Sequence, residues 1–159
     1  MALAIATHLD FCRRCTLSLD SNVRWRSGKR TATSAPQDDA AMSGLPPLPH
    51  SLEDVSFGAW KGVGRGLRAA PLGGVAGLGE AVHLVTAQAG ALVPHATAAE
   101  AEAIVLLQGG LETGSGAYEP GDFLRLGGAP RPPLRAGAAT PCLYLIVSDD
   151  TLFPQPFRD

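Results

Sequence analysis

Three side chains near the front of the chain are metal ligands at regular spacing: His8, Cys12 and Cys15, in HLDFCRRC. They stand at positions i, i+4 and i+7. On an α-helix turning about 100° per residue they fall within roughly 60° of one another, on a single face. One imidazole and two thiolates converging on one face form a donor set that tetrahedral zinc takes. Cys12-x-x-Cys15 alone would also serve thiol–disulfide exchange, but that chemistry wants a preceding strand and a helix that begins at the first cysteine. Neither is apparent, and the remaining reading is a pair of inert thiols. Zinc held by His8, Cys12 and Cys15 is the expectation.

A second pair of polar residues lies in Gly90 to Gly109, GALVPHATAAEAEAIVLLQG, where His95, Glu102 and Gly109 are separated by equal gaps. Imidazole and carboxylate could share an ion, yet catalytic sites use at least three protein ligands and structural sites four. Glu100 is the alternative carboxylate. The glycines of AWKGVGRGLR lack the GK[ST] ending and the strand-to-helix setting of a phosphate loop. His83 alternates with Val82 and Leu84, which places it opposite the apolar face and in solvent. Cys142 opens an apolar strand as a small buried hydrophobe. His50 has no partner in the sequence.

The elements that must carry these residues are set by periodicity and turn signals. Residues 3–19 read as a short helix with a partly apolar face. Asp20 to Gly44 is polar, rich in Ser and Thr, and without helical period, so it reads as a linker. Leu45-Pro-Pro-Leu-Pro-His50 stiffens the boundary, and Trp60 with Leu67 starts the first strand of the C-terminal part. Val82, Leu84 and Thr86 alternate; Ala103 to Leu107, Phe123 to Leu126 and Cys142 to Val147 are continuous apolar runs. Turns fall between them at Gly109-Gly110, Gly114 to Ala117 and Pro120-Gly121-Asp122. Short strands punctuated every eight to twelve residues or so indicate an antiparallel sandwich or barrel.

The order His95, Glu102, Gly109 resembles the first motif of the cupin family, and Gly121-Asp122-Phe123 resembles the start of its second. The resemblance implies a mainly β fold, a cupin jelly roll (a double-stranded β-helix). It also implies a metal site of two histidines and a glutamate from the first motif and one histidine from the second. Here the second histidine position is Thr97 and the late one falls at Pro132, or at Arg131 with a one-residue shift. Only His95 and Glu102 remain, a residual site, so the cupin metal is expected to be absent.

The run ALAIATHLDFCRRC resembles the second helix of ChrR-type zinc-binding anti-sigma factors, whose C-terminal half is a cupin. The ending CLYLIVSDDTLFPQPFRD is similar to theirs. The resemblance implies a truncated or degenerate member: residues 1–19 a remnant of the zinc-binding anti-sigma domain, 20–50 a flexible linker, 51–159 the cupin domain. The implied partner is an ECF, σE-like sigma factor, held inactive by steric block. The implied signal at the cupin is oxidative or a small molecule. In the family a fourth zinc ligand, a histidine, comes from an upstream helix; none of the seven residues before His8 is His, Cys, Asp or Glu. The alternative is a stand-alone cupin that binds a small molecule or metal, or a non-catalytic remnant.

Composition sets wider bounds. A chain of 159 residues holds one ordinary domain plus a small appendage. No segment approaches ~18 uninterrupted apolar residues, so no membrane span is expected. Three cysteines make no disulfide framework, which points to a reducing cytoplasm. The first 50 residues are basic (Arg13, Arg14, Arg24, Arg26, Lys29 and Arg30 against Asp10, Asp20, Asp38 and Asp39) in a chain of net charge −2. Aromatic residues are sparse there, so no stacking platform for nucleic acid is expected. Nothing in the sequence sets an oligomeric state.

Overall fold

A computed structural model describes residues 2–20, 48–73, 81–93, 102–126 and 133–148. Two helices, α1 (Ala2–Phe11) and α2 (Arg13–Asp20), come first. A single 3-10 turn, His50–Leu52, leads into the strands β1 (Ser56–Phe57), β2 (Lys61–Gly64), β3 (Leu67–Gly73), β4 (Ala81–Ala87) and β5 (Leu92–Val93). Next along the chain are β6 (Glu102–Gln108), β7 (Leu111–Thr113), β8 (Gly116–Tyr118), β9 (Phe123–Leu126), β10 (Leu134–Ala136) and β11 (Cys142–Ser148).

The apolar run CLYLIVS decides the architecture. A strand with one wet face alternates apolar with polar; one that does not must be covered on both faces. β11 is buried at every residue and lies in the middle of a sheet ordered β1-β3-β4-β11-β6-β9, with β2 paired to β3. A smaller sheet, β5-β10-β7-β8, closes over it. All the pairings are antiparallel.

Between the sheets, Cys142, Tyr144 and Ile146 pack with Val85, Ala87, Ile104 and Leu106, and with Leu111, Leu134 and Ala136 of the smaller sheet. The alternate residues Leu143, Leu145 and Val147 face outward with Val82, Leu84, Val105 and Leu107. Ala4 of α1 and Leu52 of the 3-10 turn cover them. The core thus has two layers, one inside the roll and one under the helix.

That second layer corrects one sequence expectation. Val82 and Leu84 point at α1 rather than into the roll, so His83 on the other face points inward, in line with Val85 and Ala87. It is half-buried rather than exposed, opposite Pro71 and Ile146, and burial pushes its pKa below the usual histidine value. The expected single helix over 3–19 is also two, broken at Cys12. Bonds from the Cys12 N–H to the His8 carbonyl (2.9 Å) and from the Thr16 N–H to the Cys12 carbonyl (3.0 Å) carry the helical spacing across the break. The Thr16 hydroxyl reaches back to the Leu9 and Cys12 carbonyls (2.9 and 3.0 Å), a competition that bends helices. Among the described residues no helix is long and apolar enough to cross a membrane.

A latch holds α1 on the sheet. The Ser51 N–H donates to Asp10 Oδ2 at 2.8 Å, and the Ser51 hydroxyl donates to Thr7 Oγ1 at 3.1 Å. Leu52 beside it is fully buried. Leu52→Ala is expected to cost about 2–5 kcal/mol, the usual range for a truncated core leucine. Urea unfolding measures that loss, and hydrogen exchange should show the amides of α1 opening before those of β11.

Candidate metal centre at the junction of the two helices

His8 lies in the last turn of α1, Cys12 at the break and Cys15 in the first turn of α2. Because the backbone bonds keep the helical spacing, the three side chains converge: a donor atom of each lies within 4.8 Å of the others. Zinc at ~2.0–2.3 Å from nitrogen and sulfur would bring such donors to under about 4 Å apart, so a small contraction closes the site. All three residues are half-buried.

The imidazole is fixed from the barrel side. His8 Nδ1 is 2.6 Å from the carbonyl oxygen of Gly121, in the turn between β8 and β9. A carbonyl only accepts, so Nδ1 carries the proton and Nε2 is the nitrogen left with a lone pair. The edge of the imidazole also meets Phe123, with ring centroids 6.1 Å apart and planes at 73°. Ile5, His8, Phe123 and Arg125 line an open groove of about 410 Å³ beside the site.

The two thiols share a hydrogen bond, and it treats them unequally. The Cys15 backbone N–H and thiol both donate toward the Cys12 sulfur, which lowers the Cys12 pKa. The same side-chain bond raises that of Cys15. The pair titrates as a unit, with Cys12 the first thiolate. Since zinc binds thiolate, Cys12 gives up its proton to the arriving metal more readily than Cys15.

The other sequence candidates lie elsewhere. His95 is outside the described residues, as are Thr97, Glu100 and Pro132. Glu102 opens β6, its backbone in register with Ser148 and Leu126, while its side chain is also outside them. Cys142 is buried, as expected, and burial pushes its thiol up to about 11. His50 is exposed and bonds Glu53 Oε2 at 2.8 Å, a contact that raises its pKa. Sequence reasoning missed the Gly121 carbonyl: Pro120-Gly121-Asp122 signals a turn, but not what that turn faces.

No family model matches this chain, and no curated protein matches it. Among solved structures it is similar to a chain in the crystal structure of Rhodobacter sphaeroides SigE in complex with the anti-sigma ChrR. The TM-score is 0.64 at 22% identity, covering 93% of this chain and 87% of that one. It is also similar to a cupin 2 conserved barrel domain protein from Salinispora arenicola, with TM-score 0.49 and 13% identity over 78% of this chain and 93% of that one. A cupin-2 domain from Rhodospirillum rubrum gives TM-score 0.47 at 16% identity, covering 79% and 80%. At these identities the likeness is one of fold. The chain is mainly β, a cupin jelly roll with short N-terminal helices.

Proposed function

We propose that the chain is an anti-sigma-type regulator: the helices carrying His8, Cys12 and Cys15 bind zinc and grip an ECF, σE-like sigma factor, and the cupin roll tunes that grip. The observation that carries this reading is the convergence of three zinc donors on a helix pair seated against a cupin roll. The likeness to the SigE–ChrR structure supports it, because 93% of this chain is more than residues 48–159 alone could supply, so the overlap extends into the N-terminal part.

Zinc here is a staple rather than a catalyst. It would join α1 to α2 across the break at Cys12, in a segment too small to build its own core. Three donors come from the described residues, and a further ligand completes the tetrahedron. The regulation is steric: the stapled helices enter between the two sigma domains and block core polymerase. The roll is a sensor of an oxidative or small-molecule signal rather than an enzyme, and the whole acts in the cytoplasm.

The test is co-expression of the full chain with a panel of σE-like ECF sigma factors, followed by size exclusion and metal analysis. The expected result is a complex with one of them and about one zinc per chain, the stoichiometry of a single structural site. Iron or manganese in place of zinc, lost on His95→Ala, would move the reading to a metal-binding cupin. No zinc and no complex would remove it.

A further inference from the structure

We infer that the carbonyl of Gly121 is the positioning group for the metal ligand His8, so that the β8–β9 turn of the roll sets the affinity of the zinc site. This rests on the zinc reading above and adds a barrel-borne determinant to it. Metal-bound histidines almost always donate their other ring N–H to a carbonyl, carboxylate or water, which fixes ring orientation and raises ligand basicity. The His8 Nδ1–H donates to Gly121 O in that way, across 113 residues of sequence.

The carbonyl is itself held rigidly. The Gly121 N–H donates to Leu106 O at 2.7 Å, and the Leu106 N–H donates to Asp122 O at 3.1 Å, tying the turn to β6 on both sides of the peptide. Within the turn, the Asp122 N–H donates to Glu119 O at 3.0 Å, and the Glu119 N–H to Asp122 Oδ2 at 2.9 Å. Position 121 also has to be glycine for the helix to come this close. Its φ is +95°, and a Cβ there would stand 2.6 Å from Cβ of Phe11, in the last turn of α1. Phe123, two residues on, holds the other edge of the ring. The zinc donor trio therefore has one member whose orientation belongs to the roll, while Cys12 and Cys15 belong to the helices alone.

The experiment measures zinc and cobalt affinity of the full chain by competition with a chromophoric chelator. Gly121→Ala forces Phe11 and the imidazole away from the turn, and zinc affinity of the folded protein is expected to fall by about 10–100-fold, the usual effect of losing such a partner. His8→Asn keeps an N–H near the Nδ1 position but has no ring nitrogen for the metal. It should retain wild-type exchange rates in α1 while losing the metal, whereas His8→Ala loses both. Hydrogen exchange on the wild type needs no variant: adding zinc should slow the Gly121 and Asp122 amides. Equal affinity in folded Gly121→Ala, or turn amides indifferent to zinc, overturns the positioning role and leaves the zinc site standing. A wild-type chain that binds no zinc overturns both.

Discussion

Gly109→Ala is expected to cost the roll at least about 2–5 kcal/mol, while Gly90→Ala costs only about 1–2 kcal/mol, the left-handed penalty for a residue with a Cβ. The two glycines share a backbone conformation, with φ of +77° and +73°. They differ in what a side chain would meet. Around Gly90 nothing among the described residues lies within 4 Å. A Cβ on Gly109 would drive into the Pro141 carbonyl and stand 2.8 Å from Cα of Cys142, and these are backbone atoms that cannot swing aside. The obstacle is the entry to β11, the strand on which both core layers depend. Moving it shifts Cys142 and Leu143 together, one in each layer. Overpacking of this kind adds at least 1–3 kcal/mol, roughly, to the conformational penalty, against a total stability of about 5–15 kcal/mol. Parallel urea melts of the two variants make the comparison. Similar midpoints would mean that the approach of Gly109 to β11 is not a constraint.

That contrast also shows what the sequence carried and what it could not. Gly109 was legible as a turn, and Phe123–Leu126 and the run from Cys142 were legible as strands, because turn residues and apolar runs are local signals. The second core layer was not legible. α1 offers the sheet small residues such as Ala4 and Thr7, both fully buried, rather than a broad apolar stripe. With the helix unplaced, Val82 and Leu84 read as interior and His83 as exposed. A period of two tells which residues share a face, never which face is covered. The donor trio was legible for the same reason the strands were: helical spacing is a property of eight consecutive residues. Its barrel partner is a backbone carbonyl, and a carbonyl has no letter in the sequence. His95 and Glu102 carried the cupin spacing, but their side chains lie outside the described residues, so the residual site stays a matter of spacing.

Cys12→Ser and Cys15→Ser are each expected to lower zinc affinity by more than the roughly 10–100-fold that an outer partner costs, and the double variant to abolish binding. The reason is the count of donors. With three from the described residues, loss of one thiolate leaves two of them, fewer than zinc sites in proteins use, and a serine hydroxyl holds its proton too firmly to replace it. Alkylation tracks the change independently of any metal assay. In the metal-free wild type Cys12 should react first, because its thiol is lowered by Cys15, and zinc should protect both. Cys142, pushed up to about 11 and buried, should stay unmodified until the roll unfolds, which makes it the internal control. The pH dependence has a definite sign: zinc must displace protons from the thiols, so affinity falls as pH falls. Chelation should loosen α2 and leave the roll intact, since Ala4 and Leu52, not the thiols, seat α1 on the sheet. If chelation melted the roll as well, zinc would be part of the barrel's own stability, and the reading of a detachable staple on a finished fold would be wrong.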